Sequence, residues 1–200
     1  MATIYFVRHG ESEANLLREF SNTGIKHPLT ERGRKQAQTL AEHLIDHDIS
    51  RIISTPILRA QETAEILASV LNLSFETSEA HTEYDVGRFE GRRDDEAWAE
   101  YFEVLDAWLL RSEYDVRVAG GESFNEMKAR FIPFVETLRN EPGNIAMVGH
   151  NGTYRCMLPC ILENVDHAFT RHNELDNTAY VVASPTENGW TCVEWCGTTL

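Results

Sequence analysis

The chain has 200 residues, 42% hydrophobic and 25% charged, with a formal net charge of −14. That length suits one domain with a substantial core. No stretch nears the roughly 20 apolar residues of a membrane span, and the acidic balance argues against nucleic-acid or anionic-membrane partners. Met1-Ala2-Thr3 has no basic n-region and leads into only four apolar residues, so no secretory signal is expected and the expected setting is the cytoplasm.

Ile4-Tyr5-Phe6-Val7 is a short β-branched and aromatic run that reads as a buried strand, followed at once by Arg8-His9-Gly10-Glu11. Residues 30–46 read as a helix capped by Thr30, with Ala37, Leu40, Ala41, Leu44 and Ile45 on one apolar face. Residues 51–54 read as a second strand. Pro56 is placed to start the next helix, whose core face is Ile57, Ala60, Ala64, Leu67, Ala68 and Leu71. A short third strand is expected at 74–78.

Residues 80–121 are different in kind. They hold Gly87, Gly91, Gly120 and Gly121, lack a clear strand, and carry Trp98, Tyr101, Phe102 and Trp108. Eleven acidic residues face four arginines between Glu83 and Asp115. The stretch reads as a helical insertion, or lid, above the sheet. Ser123 then caps a helix with Phe124, Met127, Phe131, Phe134, Val135 and Leu138 inward and a kink expected at Pro133. Residues 144–148 are a buried strand, 152–163 a helix with internal Pro159, and 178–184 and 190–195 two strands joined by a hairpin turn at Thr186-Glu187-Asn188-Gly189. The expected fold is α/β: a three-layer α/β/α arrangement with a mixed, mostly parallel sheet, helices on both faces and the helical lid.

The four cysteines form two Cys-x3-Cys pairs, Cys156/Cys160 and Cys192/Cys196. They fall in helix-like and strand-like segments rather than knuckle turns, so free thiols are expected rather than a zinc site. His43 and His47 sit four apart on one helix and read as solvated rather than as a metal pair. His81, His167 and His172 read as surface or loop residues.

Three strand-to-helix junctions carry the chemistry. The first gives Arg8, His9 and Asn15, the second Ser54-Thr55-Pro56 with Arg59, the third Gly149-His150-Asn151. In a mostly parallel sheet such junctions meet at one edge, where α/β folds bind ligands. Two histidines and two arginines there describe an anion pocket, locally basic against an acidic protein.

Together with Pro28-Leu29-Thr30-Glu31-Arg32-Gly33, Arg59-Ala60-Gln61-Glu62-Thr63-Ala64, Glu83 with Gly87 and Glu90-Gly91, and Gly120-Gly121-Glu122-Ser123, these ordered motifs resemble the histidine phosphatase superfamily in its phosphoglycerate mutase-like branch. The resemblance covers nearly the whole chain and implies one such domain over 1–200. It implies a phosphomonoester hydrolase, active on a small phosphorylated metabolite through a phosphohistidine, with neither metal nor cofactor. By resemblance His9 is the nucleophile, Arg8, Asn15, Arg59 and His150 hold the phosphoryl oxygens, and Glu83 protonates the leaving oxygen.

Physical chemistry agrees with those roles. Preorganised cations suit the charge spread over a transferring phosphoryl group. Imidazole attacks only when neutral, a form that adjacent arginines favour. Like charge from Asp85 and Glu90 is expected to favour a protonated Glu83. Sequence alone does not rank Glu83 above Glu11, Glu62 and Asp85; the resemblance does. Asn151, Arg88, Arg92 and Arg93 are the expected rim contacts, and the three arginines keep a cofactor-dependent phosphoglycerate mutase as the alternative, though on an acidic segment they read equally as members of surface ion pairs. A non-catalytic phospho-ligand binder is the third reading. The sequence leaves a homodimer open.

Overall fold

The computed structural model describes residues 2–24 and 26–200. Its centre is the strand β1 (Ile4–Arg8), flanked by β4 (Asn144–Gly149) on one side and β5 (Tyr180–Pro185) on the other. The sheet continues outward through β2 (Ile49–Ser54) and β3 (Phe75–Thr77) beyond β4, and through β6 (Trp190–Trp195) and β7 (Thr198–Thr199) beyond β5, giving the order β3-β2-β4-β1-β5-β6-β7. The first four strands in that order are mutually parallel, whereas β5, β6 and β7 pair antiparallel. The sheet is mixed, as the Thr186–Gly189 hairpin requires. The antiparallel flank extends further than that hairpin, because β5 also runs against β1.

The period of two along β1 separates two cores. Tyr5 and Val7 pack with Ala37, Leu40, Ala60, Ala64 and Leu67 of α2 (Glu31–His43) and α3 (Leu58–Leu71). Ile4 and Phe6 face the other layer, formed by α4 (Asp95–Arg111), α5 (Phe124–Leu138) and α6 (Asn151–Met157), where Phe131, Tyr154 and Trp108 are buried. Two short helices, α1 (Glu13–Leu17) and α7 (His167–His172), complete the set.

Several boundaries differ from expectation for local reasons. Thr30 does cap α2, accepting from the Gly33 N–H at 3.0 Å, but the helix tightens into a 3₁₀ turn at Leu44–His47. That change of pitch turns Ile45 outward, where it is 57% exposed rather than in the core. Pro56 does not start α3; Ile57 is its N-cap. Pro159 lies in a 3₁₀ turn that ends the helical segment after α6. Ser123 caps α5 in a reciprocal box with Glu126, and the helix is continuous through Pro133, which stands on its exposed face.

His81 is the clearest correction. Expected as a surface or loop residue, it lies in a 3₁₀ turn after β3 but is fully buried, stacked on Phe134 with centroids 5.9 Å apart. Of the other two, His167 is half-buried and His172 exposed, both in α7. The cysteines are free thiols, with Cys156 and Cys192 buried and Cys196 exposed. His43 and His47 turn their ring nitrogens to the Tyr180 and Tyr5 hydroxyls, at 3.0 and 3.2 Å.

One close approach positions the loop after β1. Gly10 and Gly33 bring their backbones into contact: a Cβ on Gly10 would lie 2.5 Å from the Gly33 carbonyl oxygen, and one on Gly33 would collide with that of Glu11. The start of α2 thus braces the residues following His9. Gly33→Ala is expected to cost about 1–3 kcal/mol, the range for overpacking, read from the shift in urea midpoint. An unchanged midpoint would show that the loop is free to yield.

Candidate active site

The parallel register sets the site. Arg8 lies opposite Gly149 across β1 and β4, and Ser54 opposite Val148 across β2 and β4. The residues that follow, His9, Thr55 and His150, therefore leave the sheet side by side at its carboxyl edge. His9 and His150 are 3% and 0% exposed, with ring centroids 5.2 Å apart. Arg59, in the first turn of α3, points back into the same space and is 5% exposed.

The Arg59 guanidinium joins the parts. Its Nε donates to His9 Nε2 at 2.9 Å, its Nη1 to the Ser21 carbonyl at 2.6 Å and its Nη2 to His150 Nδ1 at 3.4 Å. A guanidinium only donates, so both imidazole nitrogens facing it carry lone pairs. The remaining proton of His9 is on Nδ1, which donates to the Gly10 carbonyl at 2.7 Å. That of His150 is on Nε2, 2.9 Å from Thr55 Oγ1. Both histidines are held well below the ordinary histidine pKa. For His9 the causes are burial, then Arg59, then Arg8; for His150 they are burial, then Arg59 and His9. Arg59 is itself lowered to about 10, chiefly by burial, and stays charged at neutral pH.

Thr63, one turn along α3, accepts from the Gly10 N–H at 3.1 Å and donates to the Arg59 carbonyl at 2.7 Å. The loop before β5 closes over the other side: Asn177 Nδ2 donates to the His9 carbonyl at 3.1 Å, and Arg8 Nη1 donates to the Leu175 carbonyl. Burial lowers the Arg8 pKa. Its Nε, and Ser21 Oγ beside Arg59, are buried without a hydrogen-bond partner. Such orphaned donors are costly unless something accepts from them. Both residues line a cavity of about 260 Å³ that also holds His9, Asn15, Arg59 and Glu83. Its chemistry suits an anion with several oxygens.

Of the four carboxylates left open by sequence, only Glu83 lines this cavity. Its oxygens accept from the Gly152 N–H at 3.1 Å and the Thr153 N–H at 2.7 Å, at the start of α6, and from Thr153 Oγ1 at 2.9 Å. Glu11 is engaged by Thr30 and Arg32, Glu62 by the Leu29 N–H and Arg34, and Asp85 by the Gly87 N–H. Glu90 accepts from the Asn22 N–H. Glu19 and Glu174, unremarked in the sequence, also line the cavity; Glu19 pairs with His27 at 3.0 Å and Glu174 with Arg155 at 2.6 Å.

The rim differs from expectation. Asn151 is there, its Oδ1 accepting from the Leu175 N–H at 3.1 Å. Arg88, Arg92 and Arg93 are not among the lining residues: Arg88 pairs with Glu100, Arg92 makes a two-pronged pair with Asp94, and Arg93 is exposed. The acidic segment that carries these arginines supplies nearby partners. The cavity wall is instead Phe20 with Trp98, Tyr101, Phe102 and Leu105 of α4. Sequence could have suggested this wall, since those four α4 residues share one helical face. The buried Ser21 and the Asn177 loop follow no periodicity and carry no such signal.

The sequence profile of the histidine phosphatase superfamily (branch 1) matches residues 4–198. Phosphoserine phosphatase 1 of Hydrogenobacter thermophilus is 32% identical over 185 residues, covering 91% of this chain and 86% of that protein. A Photorhabdus laumondii protein named "probable phosphoglycerate mutase" is 32% identical over 173 residues, covering 86% and 80%. Two solved structures share the fold. A mycobacterial glucosyl-3-phosphoglycerate phosphatase aligns with a TM-score of 0.84 at 23% identity over 99% of this chain and 100% of its own. The α-ribazole phosphatase of Shigella flexneri aligns with 0.79 at 24% over 98% and 96%.

Burial also lowers His81, to about 3, with the Val148 and Ile53 backbone nearby but no well-formed hydrogen bond to either ring nitrogen. Three histidines are thus neutral in the folded chain and free to protonate in the unfolded one. The unfolded state binds more protons below pH 6.5, so stability falls as pH drops. From pH 7.5 to 5.5 the loss is about 1.4 kcal/mol per histidine, about 4 kcal/mol for His9, His81 and His150 together. Urea unfolding at both pH values measures it, and His81→Leu should remove about one third of it. A pH-independent midpoint would contradict the assignment.

Proposed function

Because this chain belongs to the histidine phosphatase superfamily, branch 1, we propose that it hydrolyses a small phosphomonoester with His9 Nε2 as nucleophile. The observation that carries this reading is the buried guanidinium of Arg59, bonded both to the lone pair of His9 Nε2 and to that of His150 Nδ1. Phosphoryl oxygens are stronger acceptors than imidazole nitrogens. On substrate binding the Arg59 N–H groups turn to those oxygens, joined by Arg8 Nε, Ser21 Oγ and the amide of Asn15. His9 Nε2 is thereby released in its neutral, nucleophilic form.

Attack forms the Nε2–P bond as the ester P–O bond breaks. Glu83 in its acid form gives its proton to the leaving alkoxide. The imidazole becomes cationic, and its Nδ1–H stays on the Gly10 carbonyl. In the second step the Glu83 carboxylate takes a proton from water, the water oxygen bonds to phosphorus, and the N–P bond breaks. His9 and Glu83 return to their starting forms with inorganic phosphate as product.

Relatives with mutase names supply the other reading. A mutase needs cations for a second anionic group. Arg155, the one further guanidinium among the described lining residues, is engaged at every nitrogen: Nη1 with Glu174, Nε with the Thr170 carbonyl and Nη2 with the Arg171 carbonyl. That supports hydrolysis.

Wild type is expected to hydrolyse p-nitrophenyl phosphate in the presence of EDTA. His9→Gln should lower kcat/KM by at least about 10³-fold, and Arg59→Ala by about 10²–10³-fold. Equal activity of wild type and His9→Gln would leave only a phospho-ligand binder. Interconversion of 3- and 2-phosphoglycerate strictly dependent on 2,3-bisphosphoglycerate would make the chain a mutase. Glu83→Gln should slow alkyl phosphates far more than p-nitrophenyl phosphate, because nitrophenolate departs without a proton. Equal slowing of both would remove Glu83 from that role.

A further inference from the structure

The half of the cavity beyond the phosphate-binding groups is walled by one face of α4. Trp98, Tyr101, Phe102 and Leu105 lie at i, i+3, i+4 and i+7 and all line it. The polar handles on this wall are turned into the protein. Trp98 Nε1 donates to the Arg18 carbonyl at 2.9 Å, and the Tyr101 hydroxyl accepts from that of Tyr84 at 2.6 Å. The remaining surface of Trp98, Phe102 and Leu105 is carbon. Trp98 is locked in place by stacking on Phe20, with centroids 4.1 Å apart. Phe102 leans on Trp98 and Tyr101 but is 50% exposed, a large apolar side chain left open at the mouth of a binding cavity.

The other charged residues lining the cavity already have partners. Glu174 is held by Arg155, Glu19 lies 3.0 Å from His27 Nε2, and each Arg155 nitrogen already donates to one acceptor. With Arg8 and Arg59 taken by the phosphoryl group, a carboxylate or second phosphate on the leaving group would have to compete with the acceptors already on Arg155. An ammonium would have to displace one of these pairs. A planar apolar group would cover Phe102 and stack on rings already fixed in position, which is the favourable use of such a surface.

The geometry points to phosphomonoesters whose leaving group is an uncharged alcohol bearing an aromatic or similarly flat apolar group, with Phe102 as the specificity-determining residue. The cavity of about 260 Å³ keeps that group small, below the 300 Å³ or so where drug-sized sites begin. This inference rests on the phosphomonoesterase reading above.

The test compares 2-phenylethyl phosphate with ethyl phosphate, whose alkoxide leaving groups are of similar basicity, so the ratio of their kcat/KM values reports contact with the wall. Wild type should favour the phenyl compound by about tenfold or more. Phe102→Ala should bring the ratio close to one, with the change in KM rather than kcat, and Phe102→Leu should leave an intermediate ratio. Phe102 is half in solvent, so both variants are expected to fold. Ratios near one in wild type, a ratio unmoved by Phe102→Ala, or faster turnover of O-phospho-L-serine or 3-phosphoglycerate than of the phenyl compound would each overturn the inference. Those results leave the hydrolase reading standing. Failure of wild type to hydrolyse any phosphomonoester, p-nitrophenyl phosphate included, would remove both.

Discussion

A single buried cation organises the site. Arg59 bonds to His9, His150 and the Ser21 carbonyl at once, and it does so inside a protein of net charge −14. Burying a guanidinium is unfavourable unless its donors are satisfied. Here each of the two imidazoles satisfies it only by keeping a lone pair, so the arginine and the neutral histidines depend on one another. The same contact that solvates the cation fixes the tautomers, leaving the remaining proton of His9 on Nδ1 and that of His150 on Nε2. Function and fold thus share one constraint, because a charged His9 or His150 would face Arg59 with like charge in a buried setting.

The rest of the molecule holds that contact in place. Parallel pairing of β1, β4 and β2 brings His9, His150 and Thr55 to one edge, and α3 delivers Arg59 from above it. Thr63 ties the Gly10 amide to the Arg59 carbonyl, so the loop after β1 and the helix after β2 move together. The contact of Gly10 and Gly33 braces the far side of that loop. Glu83 reaches the site from outside the sheet, fastened by the first N–H groups of α6, the helix that begins directly after His150. The second histidine and the candidate proton donor are therefore placed by the same helix.

Much of this was legible in the sequence where chain order and space coincide. Arg8, His9 and His150 follow apolar runs too short for anything but strands, and Arg59 falls one turn into a helix of clear period. The same logic found Ser123 as a cap and the hairpin at Thr186–Gly189. It failed where placement depends on contacts remote in sequence. His81 sits among polar residues after a three-residue strand, and its burial comes from Phe134, on a helix that begins more than forty residues later. For Arg88 and Arg92 the sequence leaves rim contact and surface ion pair equally open; Glu100 and Asp94, in the same acidic segment, pair with them. The aromatic wall was noticed as composition, but only the orientation of α4 turns it into a surface facing His9.

Catalysis through His9 requires a bond between His9 Nε2 and phosphorus. Rapid-quench trapping with a phosphorus-labelled monoester, followed by peptide mapping of the base-stable, acid-labile phosphoenzyme, measures it directly. Label is expected on His9 at Nε2, formed and lost at rates compatible with turnover and absent in His9→Gln. Turnover with no label on His9 at any time, or a kinetically competent phosphoenzyme on another residue, would contradict catalysis through His9.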